Sequence, residues 1–308
     1  MARQICQRAL DTQQAAEAIL AERGTVDKFL GDGVMAIFNA PQRDPDHVYH
    51  AVRAGMAIHR DIAALEKPFC NLVHFRRDLP AGRAPDPKVL LVAPLSGHHA
   101  TLLRDTVRTL LPDHDVYITD WVDARMVPMT EGPFHLDDYI AYAADFIRHL
   151  GPQVHLVSVC QPTVPVLAAV SLLAQTRDPH LPLSMTMMGG PIDTRRNPTA
   201  VNKLAESKGV EWFRNNVIMP VPFPLPGMGR MVYPGFLQLT GFMTMNLDRH
   251  MEAHWQMFSH LVEGDGESLA SKRRFYEEYR AVMDLPAEYY LQTIATVLQE
   301  HLLPRGLM

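Results

Sequence analysis

Cysteine is scarce in this chain: Cys6, Cys70 and Cys160 are the only three in 308 residues. Their separations fit neither a disulfide framework nor the paired spacing of a zinc site, and a reducing cytoplasm is the expected compartment. Runs of one charge are missing too. With 29 basic against 34 acidic residues and a net charge of -5, the chain has no lysine-arginine cluster, so it lacks the electrostatic footprint of a nucleic-acid or anionic-membrane partner. No uncharged apolar run approaches the roughly 20 residues needed to cross a bilayer, and the start, Met1 to Cys6, lacks the apolar centre of a signal peptide. What remains is an ordinary globular composition, 47% hydrophobic and 20% charged. Methionine is frequent, with 17 residues gathered mostly after Ser184, which suits either an adaptable greasy surface or simple core filling.

The chain reads as two unlike pieces. The first, to about Lys67, opens with a helical segment from Ala9 to Arg23, followed by two short apolar runs flanking Gly31-Asp32-Gly33. Such runs around a glycine-permitted turn predict a β-hairpin with Asp32 at its tip. A second helix is expected from about Pro45 to Leu65, by the spacing of Val48, Val52, Met56 and Ile62. From Pro68 the texture changes. The apolar run Lys88 to Ala93 predicts a buried parallel strand, and a helix (Thr101 to Leu111), a strand (Val116 to Thr119) and a helix (Leu136 to Leu150) follow. Two further strands, Val154 to Val159 and Leu183 to Met188, complete an alternation that predicts a doubly wound parallel sheet. Ser96, Asp120, Cys160 and Asp193 fall at the carboxyl ends of its strands, where working groups collect in open sheets.

The segment from Val154 to Pro165 carries the chemistry. It runs from an apolar strand, through a turn bearing Cys160, into an apolar helix with proline in its first turn. That is a nucleophile elbow with sulfur in place of the serine oxygen. Positions two before and two after the nucleophile of G-x-S-x-G must be small or pre-bent, and here they are Ser158 and Pro162. The alternative is a buried structural cysteine, common for this residue type. If the elbow forms, the Gln161 backbone N-H points at an incoming carbonyl oxygen, and a second N-H comes from Ser96 or Gly97 after the first strand.

Four separated motifs resemble the intracellular polyhydroxyalkanoate (poly-3-hydroxybutyrate) depolymerases from about Phe69 onward. They are Val92-Ala93-Pro94-Leu95-Ser96-Gly97-His98, His114 to Trp121, Val159-Cys160-Gln161-Pro162, and Gly189-Gly190-Pro191-Ile192-Asp193. The resemblance implies an α/β-hydrolase-like parallel sheet with a helical lid, and a Cys160 nucleophile that cleaves polyester through an acyl-thioester. It implies the polymer or its granule as partner, a cytoplasmic, granule-associated location, and no cofactor. Trp121, Phe242 and Trp255 are candidate substrate contacts, against a packing role. The first piece resembles a fragment of the class III adenylate/guanylate cyclase domain, with Asp32 and Lys28 at a metal and a purine position. The strand bearing the second metal carboxylate has no counterpart, so Asp32 is expected to be vestigial.

Three parts follow from this reading: a cyclase-like fragment over 1–67, an α/β-hydrolase-like core over 68–195, and a helical lid region over 196–308. The resemblance breaks beyond the lid. The family's strand with the catalytic acid and its loop with the histidine find no counterpart before Met308, so a truncated, impaired enzyme with a raw sheet edge prone to self-association is expected. Asp193, which follows a strand, is the candidate substitute acid. His250 and His254, four apart on one helical face, and His260 are weighed as bases or metal ligands. The competing functions are an inactive granule-binding or regulatory protein, a polyester synthase or acyltransferase, and a cyclase-linked regulator.

Overall fold

The structure is a computed structural model that describes residues 19–21, 23, 25–30, 33–37, 63–77, 82, 84–95, 100–245, 247–263, 265, 272, 275–276 and 279–308. The chain divides into two compact units, one of Met1–Ala64 with Val73–Pro85 and one of Leu65–Leu72 with Asp86–Met308. In the first unit, β1 (Thr25–Leu30) and β2 (Gly33–Ile37) pair antiparallel from Thr25↔Ile37 to Leu30↔Gly33. The expected hairpin is therefore present, while Asp32 and most of both predicted N-terminal helices lie outside the described residues.

A six-stranded sheet holds β3 (Ala63–Lys67), β4 (Cys70–Phe75), β5 (Lys88–Val92), β6 (Asp115–Trp121), β7 (Val154–Val159) and β8 (Ser184–Met188), in the order β3-β4-β6-β5-β7-β8. β6, β5, β7 and β8 are parallel neighbours. The protein is thus a mixed α/β fold with a mostly parallel sheet. β5, flanked on both sides, buries Val89 to Val92, as a continuous apolar strand must. β7 alternates, with Val154, Leu156 and Ser158 fully buried.

Helices α1 (Arg104–Leu110), α2 (Leu136–Leu150) and α3 (Thr163–Gln175) follow β5, a loop after β6, and β7. α2 buries Leu136, Tyr139, Ile140, Ala143, Ala144, Ile147 and Leu150, the one-sided stripe of a helix packed on a core. Its start is closed by the Asp138 carboxylate, which accepts the His135 backbone N-H at 2.7 Å. Each such large apolar side chain, fully buried, contributes about 1.5–3 kcal/mol.

Beyond β8 the chain is mainly helical: α4 (Ala200–Ser207), α5 (Val210–Val217), α6 (Gly235–Met245), α7 (Leu247–Glu263) and α8 (Ala287–Thr293). α8 runs into a π-helical turn over Ile294–Gln299. One feature departs from the helical expectation. β9 (Met219–Pro220), β10 (Met231–Tyr233) and β11 (Leu285–Pro286) form a small antiparallel sheet in the order β11-β10-β9. Arg230, just before β10, is buried at 2% exposure and donates to the carbonyls of Val127, Pro128 and Gly132 at 3.0, 2.6 and 2.8 Å. It also lies 5.0 Å from the Phe69 ring, so one guanidinium satisfies the loop carbonyls after β6 that would otherwise be buried bare.

Candidate active site

The register of β7 with β8 sets the site. Val159 pairs with Met188, so both strands end at one level and Cys160 and Gly189 leave the sheet side by side. The Cys160 backbone N-H donates to the Met188 carbonyl at 2.7 Å. Cys160 then turns through φ 68, the left-handed region that costs a side-chain-bearing residue energy, and its thiol is free and exposed. Pro162 follows with φ -61 in helical conformation at the start of α3, where its missing N-H costs nothing. Local sequence dictates this strand-turn-helix, and the exposed sulfur disfavours the buried structural cysteine.

Thr163 fixes the turn from below. Its backbone N-H and its hydroxyl both donate to the Cys160 carbonyl, at 3.2 and 2.9 Å. Across a trans peptide the C=O and the next N-H point oppositely, so drawing the Cys160 oxygen into the helix end turns the Gln161 N-H the other way. Thr163 is itself fully buried, and the space it occupies exists because residue 190 is glycine: a β-carbon there would overlap the Thr163 side chain. Ser158, also fully buried, donates its hydroxyl to the Thr186 carbonyl at 3.3 Å.

The second layer comes from a residue that sequence reading missed. Tyr289 on α8 is 2% exposed, and its hydroxyl accepts from the Gln161 side-chain amide. Burial pushes the Tyr289 hydroxyl well above the ordinary tyrosine range, with the neighbouring Cys160 contributing. Its ring packs 6.2 Å from Phe134 and 6.0 Å from Tyr139. Tyr139 in turn lies 4.3 Å from Trp121, and both Tyr139 Oη and Trp121 Nε1 donate to the Ala93 carbonyl, at 3.3 and 2.9 Å. α8 is held on α2 by Gln292, which accepts from Leu136 N at 2.7 Å and donates to Asp137 at 3.0 Å. The Gln161 Oε1 atom is buried with no hydrogen-bond partner.

The remaining candidates are placed as follows. Ser96 and Gly97, with His98 and His99, lie outside the described residues. Asp193 follows β8 but is gripped by Arg195, Nε to Oδ1 at 2.8 Å and Nη2 to Oδ2 at 2.9 Å, which holds its carboxyl down at about 2. Trp121 is 3% exposed and spends its N-H on Ala93, so it packs the core and offers no surface to a polymer. Trp255 is 69% exposed and, with Met243, Met251 and Phe258, lines an open apolar groove of about 500 Å³ flanked by His250 and His254. Phe242 is half-buried, 6.5 Å from the Tyr279 ring.

His250 Nδ1 meets Tyr276 Oη at 3.0 Å, His254 Nδ1 meets the His250 carbonyl at 2.7 Å, and His260 pairs with Asp265 at 3.3 Å. Among the described residues, no histidine is hydrogen-bonded to Cys160 and no cluster of three or more metal-binding side chains forms. His301, which sequence reading also passed over, is tied to the loop after β8 by Thr194 at 3.0 Å and has φ 52.

Fold and site together define a mixed α/β protein with an exposed cysteine on a strained turn at the carboxyl end of a parallel sheet. Over residues 189–308 the chain is similar to PHB depolymerases: a family model described as PHB de-polymerase C-terminus matches that stretch. The matched segment contains Asp193 and Tyr289 but begins after the elbow. No curated protein matches the chain. Among the described residues no helix is long and apolar enough to cross a membrane.

Proposed function

We propose that this chain is a cysteine-nucleophile polyester hydrolase acting on poly-3-hydroxybutyrate, and that Cys160 is its nucleophile. The observation that carries the reading is the exposed Cys160 thiol at φ 68 between β7 and α3. The depolymerase match over 189–308 supports the substrate class. In the first step the Cys160 thiolate bonds to an ester carbonyl carbon, and the tetrahedral oxyanion collapses with release of the alcohol end of the polymer as its oxygen takes a proton. Water then attacks the thioester carbonyl, the carboxylate product forms, and the thiolate leaves with its electron pair. The Gln161 N-H, with Ser96 or Gly97, donates to the oxyanion, and each such donor is worth about 3 kcal/mol.

The same reading takes 68–195 as a hydrolase core and 196–308 as its lid, with Trp255 and Phe242 on the polymer side and the protein at the granule. The outer edge of β8 is a place for self-association. The cyclase likeness of 1–67 rests on the hairpin and on Asp32 and Lys28 as a vestige. A second reading, a granule binder without turnover, is favoured by one observation: the Asp193 carboxylate is already engaged by Arg195. A synthase on the same scaffold would transfer the acyl group to an alcohol rather than to water.

Amorphous poly-3-hydroxybutyrate granules separate these readings. The protein pellets with the granules and releases 3-hydroxybutyrate, and Cys160→Ala keeps the pelleting while release falls by about a thousandfold or more. Pelleting without release by the unaltered protein sinks the hydrolase in favour of the binder.

A further inference from the structure

Two hydroxyl groups hold the elbow at Cys160 and Gln161, one local to the turn and one from far along the chain. The Thr163 hydroxyl holds the carbonyl of the Cys160–Gln161 peptide at 2.9 Å. The Gln161 side chain reaches the Tyr289 hydroxyl, 128 residues away. One contact holds the carbonyl of that peptide and the other holds the side chain of the residue that bears its N-H, and preorganised direction is what makes a backbone N-H effective on an oxyanion.

Tyr289 has the surroundings of a fixed post rather than a surface contact. Its ring lies against Phe134 and Tyr139, and its helix is bridged to α2 through both ends of the Gln292 amide. The hydroxyl sits in a buried setting where an uncompensated polar atom is costly. The Gln161 amide spends its nitrogen on Tyr289 and leaves Oε1 buried and unpaired. Among the described residues, Tyr289 is therefore the one side-chain partner that holds Gln161 in place.

We propose that Tyr289 is a positioning residue for the oxyanion donor: its buried hydroxyl locks the Gln161 side chain and, with Thr163, fixes the direction of the Gln161 backbone N-H beside Cys160. This rests on the reading of Cys160 as an acyl-accepting nucleophile. It makes a particular kind of selectivity: the clamp speeds reactions that pass through an oxyanion and leaves other reactions of the thiol alone. The residue touches no substrate, and it acts only through Gln161.

Two reagents read the two properties separately. Acylation of Cys160 by p-nitrophenyl butyrate forms a carbon-sulfur bond through a tetrahedral oxyanion and expels p-nitrophenolate, whereas alkylation by iodoacetamide displaces iodide with no oxyanion. In Tyr289→Phe, which keeps the ring and the fold, the first-turnover burst of p-nitrophenolate is expected to slow by about tenfold or more. Iodoacetamide labelling of Cys160 is expected to stay within twofold. Gln161→Met, nearly the same size, gives the same pattern, and the Tyr289→Phe/Gln161→Met double variant is no slower than the slower single variant. Should Tyr289→Phe fail to fold, Gln161→Met carries the test alone.

Acylation and alkylation falling together, or neither changing, overturns the positioning role. Additive losses in the double variant overturn the route through Gln161. A burst that survives Cys160→Ala, or no burst from the unaltered protein, removes the nucleophile reading and this proposal with it. A burst lost in Cys160→Ala but intact in Tyr289→Phe removes this proposal alone.

Discussion

At the residue scale the site is organised by what lies behind the sulfur. Thr163 can hold the Cys160 carbonyl because Gly190 leaves room for it, and no other residue type fits that space. Gly190→Ala therefore forces either the Thr163 rotamer or the β8 exit to move. The expected cost is about 1–3 kcal/mol in denaturant-induced unfolding, with slower acylation of Cys160 because its carbonyl loses the Thr163 clamp. Unchanged stability and an unchanged burst would show that the packing at Gly190 is slack. Ser158 and Pro162 were recognisable beforehand as the small and pre-bent neighbours of the turn. Tyr289 was not, because its contact with Gln161 spans 128 residues and Tyr-Tyr in a short mixed helix carries no local signal. Trp121 misled for a related reason: an aromatic at a strand end reads equally as a contact or as core until its exposure of 3% is known.

At the scale of elements, the strands with a sustained pattern were legible and the short or disguised ones were not. β5, β7 and α2 announce themselves by a continuous run, an alternation beside a turn, and a one-sided stripe. β3, in contrast, is built of Ala63-Ala64-Leu65-Glu66-Lys67, which are strong helix formers, and only pairing within the sheet makes it a strand. β9 and β11, two residues each, are too short to show any period.

Element docking also has a pH signature. Arg148, near the end of α2, donates to Asp178, just past α3, at 2.8 Å, and with His180 it holds that carboxyl down at about 2. A carboxylate depressed in the folded state adds stability above its unfolded value of about 3.9, and that stability is lost as pH falls toward 2. Arg148→Ala should bring the Asp178 titration, followed by carbon NMR, back up toward the ordinary carboxylate range. The melting temperatures of the two proteins should then differ at pH 6 and converge near pH 2. A titration that stays near 2 in the variant would put the cause elsewhere.

At the scale of the whole molecule, the parallel sheet ends at β8, whose residues are largely exposed and include Met187 and Met188 at 41% and 51%. An exposed strand at the edge of a sheet invites another strand, so Met187→Lys is expected to lower concentration-dependent association in sedimentation velocity. An unaltered sedimentation profile would remove the edge as its cause.

If Cys160 attacks the polyester carbonyl, the acyl-enzyme can be trapped by acid-quenching the protein during incubation with poly-3-hydroxybutyrate and located by peptide mass spectrometry. A 3-hydroxybutyryl or oligomer thioester is expected on the peptide carrying Cys160, absent from Cys160→Ala. An acyl group on any other residue, or released 3-hydroxybutyrate with the same yield from Cys160→Ala, would contradict a Cys160 nucleophile.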